Sequence, residues 1–434
     1  MKHKNLFLPL SESGKSFLLA TILSAILFWI GLGVGSNLSD TSFWISSTWQ
    51  TVKLEWFFML VYIVLYQKLP SLKNLWKNYR FVTLISLLWL TVVFSSYLLS
   101  PVYSWQNPLA SMRLAETVTH FLFFLFLWDF FAHNTVSYRM IFAAVILSTL
   151  VVMGYFVYIH FAFPHLEAEK HVFSMRSDKL ILNTHLHRIG YQVETAIGFA
   201  VAFLFMQKTK YFSLFLIGSL FVFLLWLGGR AALLGSIVTL LICLFYVRKN
   251  ISGKILIWFG AFSILLLSAT IYFHLINLDY FLHALNKTFQ AGSLDHLLTG
   301  RLEVWSLVFK ELQGHWLLGT GPQSYFFYLH RHTDVVHAHN FVMQMLGEWG
   351  IVGTALFGIL LYRAVRYGIL LHLHKPVFPE RYHIAAGLVL LSLSITGLFG
   401  GIYFFVQTSV YLAVAFALWV IPSDSARNLH PVKE

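Results

Sequence analysis

This sequence predicts an all-α, polytopic membrane protein, and three observations carry the prediction. Of 434 residues, 58% are hydrophobic and 11% are charged, whereas a soluble globular domain carries about a quarter charged residues. Apolar runs of roughly 17–23 residues recur along the whole chain, the length a helix needs to cross ~30 Å of hydrocarbon. The lysines and arginines between those runs gather in alternate connections, the pattern of the positive-inside rule.

Taken in order, the runs define about twelve spans, at approximately 16–35, 52–67, 81–99, 114–131, 140–162, 191–207, 211–229, 231–247, 255–275, 341–362, 384–400 and 402–421. The first follows Lys2 and Lys4 in the manner of a signal peptide, but no convincing small-residue cleavage site follows it, so it reads as a retained helix. Tight turns at Arg230 and Gly400 join their flanking spans. The whole of 1–434 reads as one membrane domain with two long loops, 163–190 and 276–340, the second between spans nine and ten. That loop is expected to hold a helix at Arg301–Leu312, where Leu302, Trp305, Phe309 and Leu312 recur at helical spacing. The single cysteine, Cys243, lies in an apolar run and can form no intrachain disulfide.

Short connections rich in basic residues (Lys68, Lys73, Lys77 and Arg80; Lys208 and Lys210; Arg248, Lys249 and Lys254; Arg363, Arg366, Lys375 and Arg381) mark the cytoplasmic side, together with both termini. The two long loops then face outward. The net charge of +12 reads as anchoring to anionic membrane lipid, with no nucleic-acid partner. Lys53, Arg113 and Arg230 are left in short outer connections. Lys53 can snorkel from a helix end, but Arg113 and Arg230 are less easily explained in that way.

Arg230 stands in "LWLGGRAALLGS", flanked by apolar helices. An arginine near membrane depth costs at least a few kcal/mol unless a partner or water relieves it. It is either an interfacial anchor or half of an anion site, in which a guanidinium and a helix amino terminus converge on phosphate. Arg301, in "LLTGRLEVWSLVFKEL", falls in the first turn of the loop helix, capped by Thr299 or Gly300. A cation there opposes the helix dipole; a bound anion, or a salt bridge to Glu303 or another nearby acid, relieves the conflict. Farther on, "HAHNFVMQMLGEWGIVG" places His337, His339 and Asn340 at the mouth of a span, with Gln344 and Glu348 at steps of four. Gly347, Gly350 and Gly353 form a stripe suited to close helix packing. His339 is either a satisfied interfacial imidazole or a general base, with Asn340 or Glu348 to orient it. His330, His332 and Asp334 make a zinc cluster conceivable, but H-x-H is a weak metal signature. No phosphate-binding loop for ATP and no acidic pair for a divalent ion stands in the outer loops, so no metal and no cofactor is expected. Charges in the outer region rather than within the bundle, and no visible repeat, argue against a transporter or flippase.

From "LGGRAALLG" through "TGRLEVW" and "LLGTGPQSY" to "HAHNFVMQMLGEWGIVG", Leu227 to Gly353, the chain resembles the O-antigen ligase / O-antigen polymerase superfamily of bacterial envelope proteins. The resemblance implies a GT-C-like glycosyltransferase of about a dozen spans with a large late periplasmic loop, in the bacterial inner membrane. It implies transfer of a glycan from an undecaprenyl-diphosphate donor to an acceptor hydroxyl, here by preference on lipid A–core, as an O-antigen ligase. The polymerase, which uses a second lipid-linked repeat as acceptor, and the protein O-oligosaccharyltransferase are the alternatives. It implies Arg230 and Arg301 as diphosphate ligands and His339, with His337 as its rival, as the catalytic histidine. Asn340, Glu348 and Arg113 are the supporting residues.

Overall fold

The computed structural model describes residues 10–33, 40–70, 72–101, 106–133, 138–162, 186–206, 209–247, 300–325, 337–374 and 380–421, with a few scattered positions between 248 and 299. The described residues form twelve helices: α1 Glu12–Leu32, α2 Asp40–Tyr66, α3 Leu72–Leu98, α4 Pro108–His133, α5 Tyr138–Ala162, α6 Leu186–Leu204, α7 Lys210–Leu227, α8 Arg230–Val247, α9 Arg301–Glu311, α10 Phe341–His374, α11 Glu380–Gly397 and α12 Val406–Trp419. Eleven of the expected spans fall on helices other than α9. The expected ninth, 255–275, lies almost wholly outside the described residues, as does most of 163–190.

Among the described residues, six stretches are long and apolar enough to cross a membrane: Glu12–Leu32, Tyr79–Leu98, Pro108–Ala132, Tyr138–Ala162, Lys210–Leu227 and Phe341–Tyr367. Arg230–Leu244 and Val406–Trp419 are apolar but shorter. The chain is a multi-pass helical membrane protein. Helices α2 and α6 are not among these stretches, and each buries ionisable groups: Glu55 in α2, and Arg188 and Glu194 in α6.

Helix α6 is central and packs on α5, α7, α8, α11 and α12. Small residues let it do so. A Cβ on Gly198 would lie 2.5 Å from a Val389 methyl of α11, and membrane helices associate through such close packing, since lipid tails are as apolar as the core. On the other side of the bundle, α3 packs on α10, and α4 on α2 and α12.

Three expectations change in detail. Helix α6 begins at Leu186 rather than at 191, and Arg188, Ile189 and Gly190 of its first turns are buried. Buried Val304, Val308 and Leu312, not Phe309, form the inner face of α9; Phe309 is 40% exposed. The α11–α12 connection runs over 398–405, with Gly400, Gly401, Ile402, Phe404 and Phe405 buried, and is not a tight turn at Gly400.

The glycines of α10 prove to be three different devices. Gly347 makes room for the Tyr325 ring, and Gly353 lies against Val92 of α3. Gly350 breaks the helix, with φ 65° and ψ −170°. The backbone groups freed at the break are taken up by residues 316–321: Ile351 N–H donates to Trp316 O at 2.8 Å, Val352 N–H to Leu317 O at 3.2 Å, and Thr320 N–H to Gly347 O at 2.7 Å. From α3, Ser96 donates to Glu348 O and Ser100 to Thr320 O. Irregular backbone in a membrane protein persists where protein satisfies it.

Candidate functional site

Two helix starts bring the two arginines together. Helix α7 ends on Gly228, whose φ of 66° is the left-handed conformation that glycine adopts without strain. Gly229 follows, and Arg230 opens α8. Gly300, with φ 76°, makes the corresponding entry to α9, and no side chain caps that helix. Arg301 is half-buried, and the cation acting on it is Arg230. Burial first, and then the Arg230 charge, pull the Arg301 guanidinium below its ordinary pKa, while Tyr191 opposes the shift. The salt bridge to Glu303 does not form: no ion pair at Arg301 exists among the described residues, and Glu303 is exposed. Two cations at two helix amino termini give a locus of positive potential, the setting in which an anion is stabilised.

Helix α9 also holds the histidines. One turn beyond Arg301, the Trp305 indole donates to Ala338 O at 2.9 Å, fixing the His337–Ala338–His339 segment against the arginine helix. His337 is buried; its ring packs on Phe404 at 4.4 Å and on His339 at 3.9 Å between centroids. A Cβ on Gly401 would lie 2.5 Å from His337 Cε1, so glycine is required for this approach. The backbone N–H of His339 donates to His337 Nδ1 at 3.1 Å. A neutral His337 therefore carries its proton on Nε2, with its one lone pair already in use. His339 is half-buried, and its φ of 49° is left-handed. For a non-glycine residue this costs about 1–3 kcal/mol and needs surrounding structure to hold it.

The supporting residues separate. Asn340 is the amino-terminal cap of α10: its Oδ1 accepts from Val342 N–H at 2.9 Å and Met343 N–H at 3.0 Å, and its Nδ2 donates to Leu398 O at 3.0 Å. It fixes the helix that follows His339, and its amide is committed to backbone. Glu348 is engaged elsewhere. Its carboxylate accepts from Gln344 Nε2 at 3.1 Å and lies 3.9 Å from Arg113 Nε. Arg113 is buried, pairs with Glu116 at 2.9 Å, donates to Tyr403 O and sits 3.9 Å over the Tyr403 ring. These contacts place Arg113 and Glu348 in a separate charge cluster with Glu116, His120 and Glu55. His330, His332 and Asp334 lie outside the described residues, and no trio of metal-binding side chains gathers among the described ones.

One residue of this site escaped the sequence reading. Tyr191 of α6 is buried, and its oxygen accepts the Gly401 N–H at 3.1 Å. It also lies within electrostatic reach of Arg301. A Cβ on Gly400 would fall on its hydroxyl. Nothing in an apolar run marks a tyrosine as a site residue. Glu194, one turn on and bound by the hydroxyls of Ser392 and Thr396, did carry a signal, an acid inside a span.

Residues 213–358 match the family model described as O-antigen ligase. The match runs from α7 through Arg230, Arg301 and both histidines into the broken helix α10, and it places this part of the chain in the O-antigen ligase superfamily. A glycan-transfer role on lipid-linked substrates follows at that level of generality. Comparison with curated proteins gives no match.

Proposed function

We propose that the protein is a GT-C-like, lipid-diphosphate-dependent glycosyltransferase of the bacterial inner membrane. It transfers O-antigen glycan from undecaprenyl diphosphate to a sugar hydroxyl of lipid A–core at the periplasmic face. The observation that carries this reading is the meeting of Arg230 and Arg301 at two helix starts, tied through Trp305 to the His337–His339 segment.

In this reaction Arg230 and Arg301 hold the diphosphate and neutralise the charge that develops as it leaves, with charge-assisted hydrogen bonds and no metal. His339 takes the proton of the acceptor hydroxyl as that oxygen attacks the anomeric carbon. The new C–O bond forms as the carbon–phosphate-oxygen bond breaks, and the electron pair departs with the lipid diphosphate. Direct attack inverts the anomeric centre. The lone-pair commitment of His337 supports giving the base role to His339 and an orienting role to His337. Lysines and arginines in alternate short connections support cytoplasmic termini and an outward-facing site.

The test is reconstitution with undecaprenyl-diphosphate-linked glycan and, in parallel, lipid A–core or a second lipid-linked repeat as acceptor, with EDTA throughout. Expected is an inverted glycosidic bond to lipid A–core. Growth of the glycan on the lipid carrier alone would make the enzyme a polymerase, and activity restored only by magnesium or manganese would overturn the metal-free mechanism.

A further inference from the structure

Glu194 is a buried acid of α6 that meets no cation. Its side chain is 1% exposed, and among the described residues it forms no ion pair. Its partners are hydroxyls. Ser392 and Thr396, four apart on α11, both bond the same oxygen, Oε1, the second at 2.7 Å. Its other oxygen, Oε2, is buried and has no hydrogen-bond partner among the described residues. The backbone of α8 closes on the same group, since a Cβ on Gly235 would strike Glu194 Oε1. Thr396 faces α8 as well. Its Oγ1 lies 3.1 Å from Ala231 O, in the first turn of the helix that Arg230 opens. The Thr396 hydroxyl thus has one hydrogen and two oxygen partners. Ala231 O can only accept. If Thr396 donates to it, the 2.7 Å contact is a full hydrogen bond only when the carboxyl brings a hydrogen of its own. The charge points the same way: a buried carboxylate without a counter-ion takes up a proton rather than stay ionised.

We infer that Glu194 is held as a neutral carboxylic acid and is a positioning residue for Arg230. Its Oε1–H donates to Thr396 Oγ1, and Thr396 donates in turn to Ala231 O. Ser392 donates to the same Oε1, and Oε2 is then a neutral carbonyl oxygen rather than half of a buried charge. Hydrogen bonds in such a chain polarise and strengthen one another. The relay fastens α6 and α11 to the start of α8, one residue from the guanidinium. Its functional consequence rests on the proposed role of Arg230 in holding the lipid diphosphate; the protonation of Glu194 does not.

The experiment compares full-length wild type, Glu194→Gln, Glu194→Leu and Thr396→Val in nanodiscs at neutral pH. The infrared difference between wild type and Glu194→Gln should contain the carbonyl stretch of a protonated carboxyl; carboxylate bands in its place overturn the inference. Hydrogen exchange is then read at the amides of 231–235, and Kd is measured for undecaprenyl diphosphate without sugar. Thr396→Val and Glu194→Leu each remove one link, so exchange should quicken and Kd should rise by roughly 2- to 10-fold, the worth of one neutral hydrogen bond. Glu194→Gln keeps a donor, its amide N–H, and should stay close to wild type in both. A Glu194→Gln variant as impaired as Glu194→Leu would mean that the charge matters and not the hydrogen, which overturns the inference. Unchanged exchange in Thr396→Val, or quickened exchange with an unchanged Kd, removes the positioning role. Should Glu194→Leu fail to fold, Thr396→Val and Glu194→Gln decide alone. Wild type that does not bind undecaprenyl diphosphate sinks the diphosphate reading and the positioning role with it, while the infrared band still decides the protonation.

Discussion

Two polar clusters sit in this apolar molecule, and they are built on opposite principles. Around Arg113, acids outnumber cations: Glu116 at 2.9 Å and Glu348 at 3.9 Å face the guanidinium, while His120 lies 2.7 Å from Glu55 and 3.4 Å from Glu116. Around Arg301, the neighbouring charge is another arginine. The first cluster pairs opposite charges and knits α2, α4 and α10 together. The second sets two cations within electrostatic reach of each other, an arrangement that an anion would relieve. The difference separates buried charges that hold the protein together from charges that, on the proposed function, meet its substrate. The clusters meet in one element. Segment 398–405 is gripped by Arg113 through Tyr403 and by Tyr191 and His337 through Gly401.

The comparison can be broken experimentally. The largest effect is expected at His339→Ala, which should lower transfer by about 10²–10⁴-fold, the usual worth of a general base. Binding of undecaprenyl diphosphate should persist, and both are measured on purified protein. His337→Ala should cost less; a dead His337→Ala beside an active His339→Ala would exchange their roles. Next, Arg301→Ala should lower transfer by about 10²–10³-fold, the cost of one preorganised donor to a developing charge. Its melting temperature should not fall, because removal of one of two neighbouring cations relieves repulsion. Arg113→Ala should show the reverse. Breaking a buried ion pair costs about 3–5 kcal/mol, so thermal unfolding should drop markedly while the surviving folded fraction retains its donor affinity. A stable, inactive Arg113→Ala variant would erase the distinction between the clusters. The smallest effect is expected for Arg301→Lys, which keeps the charge but loses the two-pronged donor. It should fall between wild type and Arg301→Ala in transfer rate.

Much of this was legible in the sequence. Apolar run length located the helices, and the glycines before Arg230 and Arg301 located two helix starts. What escaped depends on partners far along the chain. Asn340 looked able to orient a histidine because the two are adjacent, but the nearest unsatisfied groups are the N–H groups of its own helix, and capping wins. Glu348 shares a helical face with Gln344, as the spacing of four implied, yet the charge it meets comes from α4. Arg188 was left in a loop because its polar turn is a poor span; burial between helices, with Gln407 as hydrogen-bond partner, makes it helical. Tyr191 acquires its role from Gly401, 210 positions away, and no local pattern announces that contact.

The break at Gly350 divides α10 into parts with different allegiances. The portion before it, with Asn340 as its cap, accepts from Thr320 and Gly321 of the 316–321 backbone, and the first two residues after it donate to Trp316 and Leu317 of the same segment. The portion after it presents Ile351, Ile359, Tyr362, Val365 and Ile369 outward, toward lipid. Bilayers vary in thickness, and helices accommodate the mismatch by tilting. A continuous rod would deliver every such tilt to the His337–His339 segment as a displacement. A jointed one absorbs it at a residue where a Cβ would strike the Leu317 carbonyl, so the joint belongs to glycine alone. Gly350 thus serves as a joint between the lipid-facing length of α10 and the segment that carries the histidines.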